Sequence, residues 1–310
     1  MARTPAAAWP HSLREVGLSV TEQLGAGMEG VVYALADGTV AKVWARQGFE
    51  DLLRLQAFYA DLASADLPFA TPRIHQVMVV DGVSVTIERR LTGRPLSEFI
   101  SDDAPSDRAL HTFVDVLGAL RGIAPTSATR ALSVLDEPSP FYADPDDSWP
   151  DALARLLARR VDTYGEHFRR SVEDFEALYA RVVAALQALP TPDSAVLHGD
   201  LCTPNLLVDD NLRVVSVLDW GFLTTAGDPA FDASLGAGFF DMYGPRARAI
   251  DEQLTDWLCA EFGYSRARLH LYRAAYAIAG AHAYDPAGAD GHFAWCVDQL
   301  NRPDLRASLR

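Results

Sequence analysis

An aspartate, an asparagine and a second aspartate stand at spacings that suit one kind of chemistry. The run His198-Gly199-Asp200-Leu201-Cys202-Thr203-Pro204-Asn205 carries Asp200 and, five residues on, Asn205, and Asp219 follows in Asp219-Trp220-Gly221. One carboxylate can accept or orient a hydroxyl proton. A second carboxylate and an amide oxygen are the hard ligands that magnesium takes when it is held against phosphate groups. Phosphoryl transfer needs that set. The stretch between, Leu206-Leu207-Val208 and Val214 to Leu218 around Asp209-Asp210-Asn211, reads as a hairpin that would fold Asp219 back beside Asp200.

A second candidate lies near the N-terminus. Gly25-Ala26-Gly27-Met28-Glu29-Gly30-Val31-Val32 fits G-x-G-x-x-G-x-V, a pattern whose glycines let backbone N–H groups approach phosphate oxygens. In dinucleotide-binding folds a helix follows such a loop. Here a β-branched run and an Asp37-Gly38 turn follow, so a loop between strands is expected. Of the 27 basic side chains 26 are Arg, and Lys42 is the single Lys. It sits two positions beyond Val40, on the same strand face, and can point under the glycine loop. Lys is a slim point charge where Arg is a wide planar fork, which suits phosphate oxygens at the end of a narrow cleft.

The elements that must position these residues fall into two parts. From about Leu18 to Arg90 the pattern is mostly extended, with a hairpin at Val31–Leu35 and Thr39–Trp44 and strands at Ile74–Val80 and Val83–Glu88 around Asp81-Gly82. One helix interrupts it, because Leu52, Leu55, Tyr59 and Leu62 recur at helical spacing before Pro68 and Pro72. After Gly93-Arg94-Pro95 the chain turns helical. Leu110 to Leu120 and Phe175 to Leu189 mark two helices, Asp136 to Pro150 reads as a Pro- and Asp-rich loop, and Pro229 to Gln299 is helical again. The expected class is α+β: a small antiparallel-sheet lobe with one main helix over residues 1–93, and a larger, mainly helical lobe over 94–310.

Composition excludes several classes. The net charge is −15, and the second part holds 19 basic and 32 acidic side chains, so it carries −13 of that total. Nucleic acid and anionic membrane are poor partners for such a chain, while a cationic small molecule is favoured. No apolar run reaches the roughly 18 residues that cross a bilayer, and Ala274 to Ala283 reads as a buried helix. The N-terminal segment carries no secretory pattern, so a cytoplasmic protein is expected. Cys202, Cys259 and Cys296 lack metal or disulfide spacing and read as small buried hydrophobes. Nothing calls for a second copy, and a monomer is expected.

Taken together, these motifs resemble the aminoglycoside phosphotransferase family within the protein-kinase-like superfamily. His198-Gly199-Asp200 with Asn205 is similar to its H-G-D-x-x-x-x-N loop, Asp219-Trp220 to its I-D-W metal motif, and Gly227-Asp228-Pro229 with Asp232 to its G-D-P-x-x-D element. The order agrees over about residues 18 to 235. The resemblance implies a catalytic base at Asp200 and magnesium ligands at Asn205 and Asp219. It implies ATP as donor, with GTP as an alternative, held by Lys42 under the loop of Gly25, Gly27 and Gly30 and by backbone groups around Glu88, Arg90 and Leu91. His198 would support the catalytic loop, and Asp232 would anchor it by accepting backbone or His donors.

Two departures stand out. Kinase-like proteins carry a Glu on the helix after the lysine strand; here Gln56 falls near that place, with Glu50 and Asp61 to either side. The partner of Lys42 therefore stays open among these three. Glu29 inside the glycine loop would repel phosphate unless it points outward or meets a cation. The acceptor is equally open: a hydroxylated antibiotic or related natural product, met by Asp144, Asp146, Asp147, Asp290 or Asp298, or a metabolic amino alcohol, sugar or homoserine-like compound. A protein kinase fits poorly, because only Trp220 to Ala226 separates Asp219 from Gly227. A non-catalytic nucleotide-binding module is the remaining alternative, although base, lysine and metal ligands are all present.

Overall fold

The computed structural model describes residues 9–27, 29–100, 105–144, 146–190 and 192–309, which leaves the N-terminal octapeptide and Met28 of the glycine loop outside. It divides into two compact units. One comprises Met1–Gly93 with Val215–Leu218, and the other Arg94–Val214 with Asp219–Arg310.

The first unit opens with helix α1 (Trp9–Glu15), followed by strands β1 (Val20–Ala26), β2 (Gly30–Leu35) and β3 (Thr39–Trp44). Helix α2 (Phe49–Leu62) and strands β4 (Ile74–Val80) and β5 (Val83–Arg89) complete it. The strands form one antiparallel sheet in the order β1-β2-β3-β5-β4. The tight turns at Asp37-Gly38 and Asp81-Gly82 need positive φ, and Gly38 (+87°), Asp81 (+50°) and Gly82 (+76°) supply it. Tyr33, Leu35, Ala41, Val43, Val85 and Ile87 bury one face together with Trp9 and Leu13 of α1. The expected spacing on α2 holds: Leu52, Leu55, Phe58, Tyr59 and Leu62 are buried, each contributing about 1.5–3 kcal/mol of apolar transfer. Residues 215–217 join this unit through Ala70, whose N–H donates to Val215 and whose carbonyl accepts from Val217.

The second unit holds the short strand β6 (Arg94–Pro95), helices α3 (Asp107–Leu120), α4 (Ser127–Arg130), α5 (Trp149–Ser171) and α6 (Phe175–Gln187), and strands β7 (Ala195–Leu197) and β8 (Leu206–Val208). Strand β9 (Val214–Val217) crosses the unit boundary. Strand β10 (Thr225–Gly227) and helices α7 (Pro229–Phe239), α8 (Ala247–Phe262), α9 (Arg266–Gly280), α10 (Gly291–Asn301) and α11 (Pro303–Ser308) follow. Helix α7 is buried on every side, as a helix at the centre of a helical unit must be. Helix α9 is buried from Leu269 to Gly280, as the apolar run predicts. Of the three cysteines only Cys296 is fully buried; Cys202 and Cys259 are half-buried, which corrects the expectation for those two. Among the described residues, no helix is long and apolar enough to cross a membrane.

One glycine of the first unit is set by packing. Gly30 has φ +150°, and a Cβ there would lie 1.9 Å from the carbonyl oxygen of Val43. Gly30→Ala should therefore lower stability by about 1–3 kcal/mol in urea unfolding. Gly38→Ala, at positive φ but with no atom within 4 Å, should cost less. Equal losses would contradict this account of Gly30.

Candidate active site

The first unit holds the glycine turn and Lys42. Strands β1 and β2 meet at Ala26 and Val31, and the Gly27 N–H closes the turn on the Gly30 carbonyl at 2.8 Å. Among the described residues, a Cβ at Gly25 or Gly27 would meet no atom within 4 Å, so packing against them does not demand glycine there. The register sets Lys42 opposite Val32 on one side and Thr86 on the other. Its ammonium lies 3.8 Å from the centre of the Trp44 ring, which is held in turn by an indole N–H donated to Thr86 at 2.8 Å.

Lys42 also meets a partner outside the three sequence candidates. Its Nζ donates to Glu29 Oε2 at 2.5 Å. Gln56, nearest to the expected position, donates its amide to the Ile74 carbonyl instead. The carboxylate that looked out of place in the loop thus pairs with the lone lysine. The Ala45 N–H fixes the Glu29 carbonyl at 2.7 Å, which brings the start of β2 against the end of β3. Of the expected adenine-contacting stretch, Glu88 is buried with its carboxylate taken by the Thr86 hydroxyl, Arg90 pairs with Glu22 at 3.3 Å, and Leu91 is half-buried.

In the second unit, β7 and β10 pair antiparallel with Leu197 opposite Thr225, and each runs directly into a functional segment. After β7, Gly199 turns at φ +78°; a Cβ there would lie 2.4 Å from Leu223, so only glycine fits. After β10, Asp228 caps α7 by accepting the Ala230 N–H at 2.9 Å, and its other oxygen accepts from Arg268 and Tyr272. One turn into α7, Asp232 reaches back and accepts the N–H groups of His198 at 2.6 Å and Gly199 at 2.8 Å. His198, fully buried against the Trp220 ring, accepts the Asp200 N–H on Nδ1 at 3.2 Å, which puts the proton of the neutral ring on Nε2. Both are the supporting roles expected of these residues.

Asp200 and Asn205 are tied together on this frame, and Asp219 lies in the same unit. Asn205 donates its side-chain amide to the Asp200 carbonyl at 3.0 Å, and its own N–H closes a turn on the Cys202 carbonyl at 3.1 Å. With its nitrogen so engaged, Asn205 presents Oδ1 as its remaining end. Asp219 adopts φ +55°, a left-handed conformation uncommon outside glycine. Burial pushes the Cys202 thiol pKa up, and the carboxylates of Asp200 and Asp219 push it further, so both charges stand near that side chain. One amide oxygen and nearby carboxylates make an all-oxygen donor set, which fits magnesium.

The five acidic residues considered for an acceptor do not gather at one place. Asp144 and Asp147 tie their own loop: Asp144 accepts the Asp146 N–H at 2.9 Å, and Asp147 accepts the Asp144 N–H at 3.0 Å and pairs with Arg155. Asp290 caps α10 through the Phe293 N–H at 2.8 Å, and Asp298 is exposed on that helix.

Asp232 carries a pH signature. Burial outweighs its two N–H bonds and raises its pKa from 3.8 to about 6. The native state therefore holds a proton that the unfolded chain has already released, and the stability this adds is complete below pH 3.8 and lost as pH rises through about 6. Wild type should lose more stability than Asp232→Asn between these pH values in urea unfolding. Parallel profiles would contradict the raised pKa.

Residues 20–270 match the family described as Phosphotransferase enzyme family. Viomycin phosphotransferase of Streptomyces vinaceus is 27% identical over 227 residues, covering 70% of this chain and 72% of that protein. An uncharacterized protein of Bacillus subtilis, YcbJ, is 31% identical over 128 residues, covering 41% of this chain and 37% of that protein. The chain thus spans little more than a third of one curated relative and nearly three quarters of the other. Aminoglycoside phosphotransferase APH(3'')-Id from Streptomyces rimosus, solved in complex with ADP and streptomycin, shares the fold with TM-score 0.53 and 21% identity, over 97% of this chain and 100% of that one.

Proposed function

Because the chain belongs to the phosphotransferase enzyme family, we propose that it transfers the γ-phosphoryl group of ATP to a hydroxyl of a small molecule, an aminoglycoside-like or other natural-product antibiotic. The observation that carries this reading is the loop in which Asn205 is tied to the carbonyl of Asp200, beside Asp219, in a chain similar to a viomycin phosphotransferase over 227 residues.

On this reading Asp200 accepts or orients the proton of the acceptor hydroxyl, and the His198–Asp232 frame fixes where its carboxylate stands. Asn205 Oδ1 and Asp219 would hold magnesium, which offsets phosphate charge when bound. Lys42 would hold phosphate oxygens of the donor beneath the turn of Gly25 and Gly27, with Gly30 setting the turn. Those oxygens compete with Glu29 for the ammonium. Positioning and charge compensation supply most of the catalysis, since phosphoryl transfer asks little covalent chemistry of the protein. A resistance or self-protection role follows from an antibiotic acceptor.

ADP release measured across aminoglycosides, macrolides, peptide antibiotics, amino alcohols and sugars tests the acceptor class. Turnover confined to amino alcohols or sugars would replace the antibiotic reading with a metabolic one. Asp200→Ala should cut turnover about 10²–10⁴-fold with ATP binding nearly unchanged, and unchanged turnover would remove Asp200 from its role. Lys42→Arg should lose most activity, because a planar fork cannot replace the point charge.

A further inference from the structure

Beyond the carboxylates, the second unit carries a group of aromatic side chains that begins three residues past Asp219. The Phe222 ring, three residues past Asp219, lies parallel to that of Tyr284 with centroids 5.7 Å apart and planes 2° apart. Tyr284 meets His292 edge to face at 4.7 Å, and His292 lies nearly parallel to Trp295 at 6.1 Å. His292 is the hub. Its Nδ1 is 3.4 Å from the Tyr243 hydroxyl, and its Nε2 is 3.1 Å from the hydroxyl of the buried Tyr276. The group is not closed over as a core would be: Tyr243 is 67% exposed, and Phe222, Tyr284 and Trp295 are all part-exposed.

Charges of both signs border the group: the buried Arg273 guanidinium lies 5.7 Å from the centre of the Trp295 ring and is paired with Asp251, while carboxylates act on the tyrosines. After burial, the leading cause of the raised Tyr284 pKa is the Asp200 carboxylate, and Asp290 acts in the same direction on Tyr243. Burial holds the His292 pKa down to about 4, so the hub itself is uncharged at neutral pH. Aromatic faces draw organic cations through their quadrupole, and adjacent carboxylates add to the attraction. A neutral apolar ligand would gain nothing from Asp290, and an anionic one would be repelled.

We propose that the faces of Phe222, Tyr284 and Tyr243, with Asp290 beside them, form a wall that binds an organic cation, an alkylammonium or guanidinium group, of the acceptor molecule. The inference rests on the phosphotransfer reading for its use, since Tyr284 stands within electrostatic reach of Asp200 and the bound cation would present its neighbouring hydroxyl there. His292 is a positioning residue that holds Tyr243 and Tyr276. Asp290 is thereby the one acidic candidate from the sequence with a place near the acceptor.

The test needs no turnover. Tetramethylammonium and its neutral isostere neopentyl alcohol are titrated into the full chain, and saturation transfer from aromatic protons to probe methyl groups is followed by NMR. The cation should bind at least about tenfold tighter than the alcohol. Tyr243→Ala and Tyr284→Leu should each weaken it several-fold, and Tyr243→Phe should bind as wild type, because the ring face acts and not the hydroxyl. Equal affinity for the two probes, or cation binding untouched in both Tyr243→Ala and Tyr284→Leu, would overturn the wall. Since the titration contains no ATP and reads binding alone, a chain that phosphorylates no antibiotic still answers this question. A chain that phosphorylates one but shows no preference for the cation loses the wall alone.

Discussion

Two adjacent backbone N–H groups, those of His198 and Gly199, end on the single buried carboxylate of Asp232, and the position of Asp200 depends on that pair of bonds. The loop cannot be held by a strand, because it must leave β7 to expose Asp200. It cannot float either, because buried N–H groups without acceptors are costly. A carboxylate delivered by the first turn of α7 resolves the conflict, and α7 is placed for this because β10 pairs with β7 and runs into the Asp228 cap. His198 then carries the constraint one residue on by accepting the Asp200 N–H. The Asn205 amide on the Asp200 carbonyl closes the ring from the other side. Asp200 is thus fixed through its backbone.

The same economy governs the glycine turn. Gly30 is forced by the Val43 carbonyl, whereas a Cβ at Gly25 or Gly27 would meet no atom of the described residues within 4 Å, so one glycine serves the fold and two leave room for a ligand. Glu29 sits between them in sequence and on Lys42 in space. A carboxylate on the only lysine of the sequence compensates a half-buried charge that also lies against the Trp44 ring.

Much of this was legible from residue types. The Asp-Gly turns, the period-two runs around them and the apolar spacing of α2 specify the first sheet and its helix, because each signal is local. The roles of His198 and Asp232 were legible only through the resemblance of their motifs to a known family, because 34 positions separate the two residues. The partner of Lys42 was not. It depends on the register of β2 and β3, which brings a residue 13 positions earlier onto the ammonium, and no helical spacing reports that. Helix α5 passed unread because its cap, Ser148-Trp149-Pro150-Asp151, closes a Pro- and Asp-rich stretch that reads as loop, and its five arginines dilute the stripe of Leu153, Leu156, Leu157, Val161 and Phe168. The aromatic group around His292 was invisible for a different reason: Phe222, Tyr243, Tyr284 and Trp295 come from four separate segments with no spacing in common.

The central claim is that the loop of Asp200 and the residue that follows its hairpin hold a metal through Asn205 and Asp219 and leave Asp200 for the acceptor. Crystals grown with manganese in place of magnesium and with a non-hydrolysable ATP analogue would locate the cation by anomalous scattering. The account predicts a peak bound by Asn205 Oδ1 and a carboxylate oxygen of Asp219, with Asp200 unligated. A peak on Asp200 with Asn205 turned away, or nucleotide bound with no metal at either residue, would contradict it.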